Sequence, residues 1–486
     1  MKLKDLLQDV AVLEAAADLN TEIAEVCYDS RRAGPGSLFV AVSGFQTDGN
    51  RFIPMALERG AVAVVTAKRP AGDVPYVLVS SERLALARIS ANYYAHPAEA
   101  MTMVGVTGTN GKTSVTLLLK HVLEQAAGAK VGLIGTMENC IGDRVIPTER
   151  TTPESLELQE LFARMRDAGC THVVMEVSSH AIALERVGGV RFQVAAFTNL
   201  TEDHLDFHHT MDAYCDTKAL LFSRCERAVL NRDDAYYERI AQRTACPVTT
   251  TSLHSGADVC ALDVRLRSGG VAFTAAAGGE RVPVTLPIPG KFTVYNALTV
   301  LGIARELGIP LAEAAKALAS AKGVRGRVEV VPTPGKPYTV LIDYAHTPDG
   351  LQNVLTSVKG YCKGRLIAVF GCGGDRDPMK RPIMGRIGAE CADLAVITSD
   401  NPRSEDPDEI IAQIVKGIPK EKNSYVTIEN RPQAIRYALD IGKKDDIIVL
   451  AGKGHETYQE IRGVKRHMDE REIVAEYLQE LEKNHG

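Results

Sequence analysis

Val104-Gly-Val-Thr-Gly-Thr-Asn-Gly-Lys-Thr-Ser-Val115 passes from an apolar run, through a loop of small residues, to a lysine, a hydroxyl and the start of a helical pattern. A strand that ends in a glycine-rich turn and feeds a helix is the phosphate cradle of a nucleotide-binding α/β domain. Gly108 and Gly111 lack a Cβ, so the backbone can turn sharply and present its N–H groups to phosphate oxygens. The helix that follows aims its positive dipole end at the same anion. Lys112 supplies a point charge for the outer phosphates and Thr113 a hydroxyl for a magnesium ion. The general pattern asks for glycine at position 106, where Val106 stands, and Gly105 comes one place too early. A ligand-free strand-to-helix turn is the competing reading, and the adjacent Lys112-Thr113 pair weighs against it.

Apolar runs recur on both sides of this stretch with helical patterns between them: 61–66, 101–107, 131–134, 172–177, 194–198 and 228–230. Such alternation predicts a parallel sheet covered by helices. A second series at 338–342, 366–370, 394–398 and 447–450 predicts another α/β unit. Between them, residues 259–289 are rich in β-branched residues and glycine, the composition of an antiparallel patch closing the central unit. Pro332-Thr-Pro-Gly-Lys-Pro337 either separates domains or turns a hairpin. His96-Pro-Ala-Glu-Ala100 marks the earlier boundary. A chain of 486 residues is too long for one core. The expected fold class is α/β with three domains, at 1–98, 99–330 and 331–486.

Composition narrows the function. A net charge of -5 offers no general attraction for nucleic acid, whose binding domains are distinctly basic. The first ten residues mix acidic and apolar side chains without the continuous apolar core of a signal peptide, and no run is apolar enough to span a membrane. A cytoplasmic protein is expected. The ten cysteines are scattered without a Cys-x-x-Cys pair, which argues against both a zinc ribbon and a disulfide framework.

A second chemical feature is Asn199-Leu-Thr-Glu-Asp-His-Leu-Asp-Phe-His208, directly after the run 194–198. In open α/β sheets ligands bind beyond the carboxyl ends of strands, where this segment and Glu176 both fall. Thr113, Glu176 and His204 together offer oxygen and imidazole ligands suited to magnesium or manganese. A solvated acidic turn carrying a surface histidine is the plain alternative.

Four motifs now stand in order: Gly108-Thr-Asn-Gly-Lys-Thr113, Met175-Glu-Val-Ser-Ser-His180, Asn199-Leu-Thr-Glu-Asp-His204 and Asp343-Tyr-Ala-His-Thr-Pro348. Their sequence and spacing resemble the Mur ligase family, and the resemblance runs through most of the chain. It implies an ATP-dependent enzyme of three domains that adds an amino acid to a UDP-linked peptidoglycan precursor: an N-terminal UDP-precursor-binding domain, a central ATP-binding domain and a C-terminal, Rossmann-like amino-acid-binding domain. The family's variant phosphate loop accounts for Val106.

The resemblance assigns ATP to Gly108, Thr109, Asn110, Gly111, Lys112, Thr113, Asn296, Arg327 and Asp343, with His346 orienting the junction. It assigns the UDP-MurNAc-dipeptide precursor to Ser30, Thr151, Thr152, Ser178 and Arg186. Lys218, in Tyr214-Cys-Asp-Thr-Lys-Ala-Leu-Leu221, matches the family's carbamylated lysine, N6-carboxylysine, and so joins Thr113, Glu176 and His204 around Mg2+. Lys112, Glu176, His204 and Lys218 are thereby the expected catalytic set. Asp400, Asn401, Pro402 and Arg403 resemble the version of the acceptor motif that selects meso-diaminopimelate, whose distal carboxylate a planar guanidinium can grip through two hydrogen bonds. Arg376, Gly452 and Glu456 match the remaining contacts to that amino acid.

Arg150, Leu184 and Thr293 depart from residues found in some relatives, so no role is carried to them. His467-Met-Asp-Glu-Arg471 is a loose version of the family's acidic-arginine ending and receives no catalytic role. The expected reaction joins meso-diaminopimelate to the γ-carboxylate of D-glutamate in UDP-N-acetylmuramoyl-L-alanyl-D-glutamate through an acyl phosphate, by a monomer, in cell wall synthesis. The alternatives are a lysine-adding ligase on the same precursor, a folate polyglutamate-type ligase, a kinase, or a nucleotide switch that forms no product.

Overall fold

The computed structural model describes residues 1–44, 47–148, 150–422 and 424–485. It divides into two compact units, one of Met1–Thr251 with Gly302–Pro310, the other of Ser252–Leu301 with Leu311–Gly486.

The first unit holds two sheets. The smaller consists of β1 (Val12–Ala15), β2 (Glu25–Cys27), β3 (Ser37–Val40), β4 (Ala61–Thr66) and β5 (Tyr76–Val79), in the order β1-β5-β4-β3-β2. Only β1 runs antiparallel, to β5. The helix Glu82–Tyr93 lays Ala85, Leu86 and Ile89 on this sheet, and Leu156 from a later helix joins the same core. Ser81 caps the first helix by accepting from Leu84 N–H, which satisfies one of the amides that every helix start leaves open.

The larger sheet contains β6 (Thr102–Thr107), β7 (Val131–Ile134), β8 (Asn139–Ile141), β9 (Arg144–Ile146), β10 (His172–Glu176), β11 (Phe192–Phe197), β12 (Cys225–Asn231) and β13 (Val248–Ser252). Across it the strands lie β13-β12-β11-β6-β10-β7-β8-β9, all parallel except the pairs β7–β8 and β8–β9. β6 lies between β10 and β11, at the place where successive crossovers change direction, and a crevice opens at the carboxyl ends of such strands. Val106 is a buried strand residue paired with Glu176 and Ala196. Glycine is unnecessary there because the turn begins two residues later, at Gly108.

The second unit opens with an antiparallel meander of β14 (Val259–Arg267), β15 (Gly270–Ala277) and β16 (Glu280–Leu286), as the β-branched composition predicts. Its main sheet has β17 (Glu329–Val331), β18 (Thr339–Asp343), β19 (Leu366–Phe370), β20 (Leu394–Ile397), β21 (Tyr425–Thr427) and β22 (Ile447–Ala451), in the order β17-β18-β22-β19-β20-β21. β17 and β18 pair antiparallel, so the segment 332–337 turns a hairpin. The other pairs are parallel, with buried strands covered on both faces. A hairpin of β23 (Tyr458–Ile461) and β24 (Val464–His467) follows. Among the described residues no helix is long and apolar enough to cross a membrane.

Candidate functional site

The phosphate loop is built by the sequence immediately around it and then braced by one other segment. Gly108 has φ +147°, and a Cβ there would stand 1.9 Å from Thr198 Oγ1. Only glycine fits. Gly111, also at positive φ, caps the helix Lys112–Ala127, whose first-turn N–H groups have no carbonyl partner within the helix itself. The Asn199-Leu-Thr201 segment supports this turn: Thr109 N–H donates to Asn199 O at 2.8 Å, and Asn110 N–H to Asn199 Oδ1 at 2.9 Å. Thr198 Oγ1 donates to Asn110 O at 2.6 Å. Two motifs separated in the sequence therefore form one cradle.

Lys112 Nζ donates to Gly108 O at 2.8 Å and to Thr109 O at 2.9 Å. Lys218, 1% exposed, donates to the same Gly108 oxygen at 2.9 Å. Burial, followed by the charge of Lys112, drives the Lys218 amine well below its ordinary pKa. A buried, neutral amine is a nucleophile toward carbon dioxide, the chemistry a carbamate requires. Thr113 is buried in the first turn of the helix.

Glu176, at the end of β10, is buried, and its oxygens accept from Thr136 N–H at 2.8 Å and Thr136 Oγ1 at 3.0 Å. The expected precursor residues converge here. Thr151 Oγ1 lies 3.0 Å from Thr136 Oγ1, and Thr152 Oγ1 donates to Glu176 O at 2.8 Å while accepting from Ser178 N–H. Arg186 donates to Thr152 O at 3.1 Å and pairs with Glu154 at 2.7 Å, an acidic residue also paired with Arg150. Ser30 sits apart from these contacts, buried in a turn of the small sheet with its hydroxyl 3.5 Å from Met55 Sδ.

His204 has positive φ and lies half-exposed, its ring centroid 4.8 Å from that of His180. Among the described residues no three His, Cys, Asp or Glu side chains gather closely enough to hold a metal alone. The donors present are a carboxylate, an imidazole and a hydroxyl, which suit magnesium with water or phosphate completing its shell. They fit better if Lys218 carries a carbamate, because this hard cation prefers anionic oxygen ligands to an amine.

Two residues given no role by sequence occupy the centre of this cluster. Tyr214 is four residues before Lys218 on the helix Met211–Ala219, so both fall on one face. Its ring covers Lys218 Nζ at 4.6 Å, and its hydroxyl lies 3.3 Å from Thr109 Oγ1. Burial pushes that phenol up to about 12. His208 stacks on Tyr214 at 4.8 Å, and its Nε2 is 2.9 Å from Ser179 Oγ. Burial lowers its pKa to about 4, with the charges of its neighbours adding to the effect. The helical spacing of Tyr214 and Lys218 is the signal that could have found the first; the second had none.

The second unit gathers the expected amino-acid residues. Asn401 Nδ2 donates to Glu456 Oε2 at 2.9 Å, and the wholly buried Lys453 donates to Asn401 Oδ1 at 2.8 Å and to Glu456 Oε2 at 2.6 Å. Asp400 Oδ1 accepts from Asn401 N–H, while Asp400 Oδ2 is buried with no hydrogen-bond partner among the described residues. Gly452 has φ +114°, and a Cβ there would lie 2.5 Å from that same oxygen. Arg403, at φ +51°, donates to Gly374 O at 2.7 Å and approaches Glu460 at 3.4 Å. Gly374 N–H bonds Asn401 O, and the carbonyl of Pro402 faces Gly374, so the turn 400–403 is zipped to the loop that carries Arg376. Arg376 itself is exposed.

The same unit holds three residues expected near ATP. Both oxygens of Asp343 accept backbone amides, from Val328 and Ala345, each at 2.8 Å, and burial raises its carboxyl pKa. Arg327 stacks over Tyr344 at 5.2 Å, and Asn296 is buried on the helix Lys291–Glu306. His346 Nδ1 lies 2.9 Å from Tyr344 O.

Comparison with known proteins matches residues 22–94 to "Mur ligase family, catalytic domain", 106–304 to "Mur ligase middle domain" and 326–454 to "Mur ligase, glutamate ligase domain". The chain is similar to a protein of Caldanaerobacter subterraneus named UDP-N-acetylmuramoyl-L-alanyl-D-glutamate--2,6-diaminopimelate ligase, 50% identical over 99% of this chain and 100% of that one. A solved structure bearing the same enzyme name aligns with TM-score 0.75 and 30% identity over 99% of both chains. A MurF ligase of Thermotoga maritima, solved in complex with ADP, shares the fold at TM-score 0.62 and 22% identity, over 96% of this chain and 99% of the other.

Proposed function

Because the chain belongs to the Mur ligase family, we propose that it is the ligase that uses ATP to join meso-diaminopimelate to the D-glutamate γ-carboxylate of UDP-N-acetylmuramoyl-L-alanyl-D-glutamate. The observation that carries this reading is the convergence of Lys112 and Lys218 on the carbonyl of Gly108, inside a glycine-turned loop at a helix start. Lys112 brings the positive charge that a site neutralising a transferring phosphoryl group needs, and Lys218 lies on the same cradle, where as a carbamate it would hold a metal ion beside the phosphates.

The chemistry follows from a poor electrophile. A carboxylate oxygen of the precursor attacks the γ-phosphorus of ATP, the bond to ADP breaks, and an acyl phosphate forms. The amine lone pair of diaminopimelate then attacks the acyl carbon, inorganic phosphate leaves, and the amine loses a proton. Lys112 and the amides of residues 108–113 hold the phosphates. Thr151, Thr152, Ser178 and Arg186 bind the precursor, with Ser30 toward its uracil end. Asn296, Arg327 and Asp343 serve the nucleotide, and His346 orients the segment that carries Asp343. Asp400, Asn401, Pro402, Arg403, Arg376, Gly452 and Glu456 hold the amino acid, Arg403 gripping its distal carboxylate.

Thr113, Glu176, His204 and a Lys218 carbamate would hold Mg2+, which when bound adds positive charge beside the phosphates. The working arrangement is three domains, near 1–98, 99–330 and 331–486, in a cytoplasmic monomer. The lysine-adding alternative loses ground because lysine offers Arg403 no second carboxylate.

Phosphate release tests the proposal. Purified protein with ATP, magnesium and the UDP-linked dipeptide should release phosphate on adding meso-diaminopimelate and far less with lysine. No amino-acid-dependent release would refute the ligase assignment, and equal rates would refute its specificity. Isotopically labelled bicarbonate should give a carbamate carbonyl resonance that Lys218→Ala abolishes; its absence from active enzyme would remove the carbamate.

A further inference from the structure

The segment Met468-Asp-Glu-Arg471, left without a role by its sequence, is tied to the rest of the second unit through Asp469, Glu470 and Arg471. Asp469 pairs with Arg325 at 2.6 Å, and Arg471 pairs with Glu329 and donates to Gly454 O at 3.1 Å. Glu470 pairs with Arg431 at 2.8 Å, and both side chains are 0% exposed.

Arg431 is the first residue of the helix Arg431–Asp440. Besides Glu470, its guanidinium donates to Ala451 O at 2.8 Å and, more weakly, to Ser399 O at 3.5 Å. Ala451 is the last residue of β22 and precedes Gly452; Ser399 follows β20 and precedes Asp400. In the sheet β22 and β20 are not neighbours, because β19 lies between them. The backbone ladder therefore does not tie these two strand ends directly to one another, and Arg431 bridges them across β19. Beyond that bridge the two loops meet again through Lys453, Asn401 and Glu456.

We propose that the buried Arg431–Glu470 pair is a positioning device for amino-acid specificity, setting the spacing of the loops that begin at Asp400 and Gly452. Arg431 is wholly buried, and its guanidinium donates to Glu470 and to two backbone carbonyls. It acts through the carbonyls of Ser399 and Ala451, so its removal shifts Asp400, Asn401 and Glu456 relative to one another and weakens their joint grip on the acceptor. A single fork-shaped guanidinium suits the task, since its fixed geometry sets the directions of its N–H groups together. An ion pair with no exposure is a costly way to gain stability, which is the reason to look for another role. The identity of the acceptor rests on the function proposed above, whereas the bridge itself does not.

The test uses the full-length protein and the double variant Arg431→Met, Glu470→Met. Removing both charges leaves no unpaired ion, and such replacements of buried pairs are often neutral for stability; Arg431→Met alone would strand Glu470 and could prevent folding. In the folded double variant the KM for diaminopimelate should rise about tenfold, as expected when binding groups are displaced, while the KM for ATP stays within twofold. Backbone hydrogen exchange should quicken at residues 399–403 and 452–456 and stay slow inside β19 and β22. An unchanged exchange pattern in those loops would overturn the proposal, as would quickened exchange with an unaltered KM for diaminopimelate. If the parent enzyme shows no diaminopimelate-dependent turnover, the substrate assignment fails by itself; quickened exchange in the double variant then upholds the bridge, and unchanged exchange overturns it.

Discussion

The phosphate loop and the amino-acid pocket are constructed by opposite means. The loop's turns are set within six consecutive residues, 108–113, by two glycines at positive φ and a helix start. Its conformation is local, and Asn199 and Thr198 only brace it. The pocket has no such local plan. Arg403 is held by a carbonyl 29 residues away, Asn401 by a lysine 52 residues away, and the bridge beneath them joins residues 39 apart. A device made of backbone amides tolerates change around it, because every residue supplies the same N–H. A device made of side-chain contacts depends on each partner, and specificity belongs there.

Substitutions can break or sharpen this contrast. The largest effect is expected from Lys112→Ala, which removes the one side-chain charge the loop itself supplies: kcat/KM in phosphate release should fall by roughly a thousandfold. A drop confined to the KM for the amino acid would contradict the division of labour. Arg403→Ala should raise the KM for diaminopimelate by about tenfold to a hundredfold, the cost of losing a charge-assisted pair, and leave the KM for ATP alone. An unchanged value would remove Arg403 from recognition.

Tyr214→Phe keeps the ring over Lys218 and deletes the hydroxyl beside Thr109. A loss of about fivefold in kcat, the worth of one neutral hydrogen bond, is expected, with the KM for diaminopimelate unmoved. The smallest effect at neutral pH concerns His208. Its folded-state pKa lies near 4 against an ordinary 6.5, so the unfolded chain binds the extra proton first. Its contribution to stability is full above pH 6.5 and is lost as the pH falls from 6.5 toward 4. Melting temperatures should drop across that window in the parent and less steeply in His208→Gln; equal slopes would show that other groups carry the acid sensitivity.

Much of the fold could be read in advance because parallel strands buried on both faces leave continuous apolar runs. The run predicted at 61–66 is a strand with those bounds, and 101–107 is one from Thr102. The short strands Glu25–Cys27 and Tyr425–Thr427 left no comparable run, since three residues carry no period. At the site, Glu176 and His204 are identifiable by type and by their place after strands. Thr136 is not, because a lone threonine in a loop looks like any other until the carboxylate it holds is in view.

The sequence by itself determined the phosphate loop, the order of the α/β elements and the family, because turns, helix starts and apolar runs are written in residues close together along the chain. Tertiary structure alone decided that Lys218 shares a carbonyl with Lys112, that Tyr214 and His208 fill the space behind them, and that Arg431 joins two strand ends across a third. Those facts depend on burial and on contacts between distant residues. A lysine or an arginine in the sequence carries the same charge wherever it goes, and only the fold removes it from water and gives it one partner.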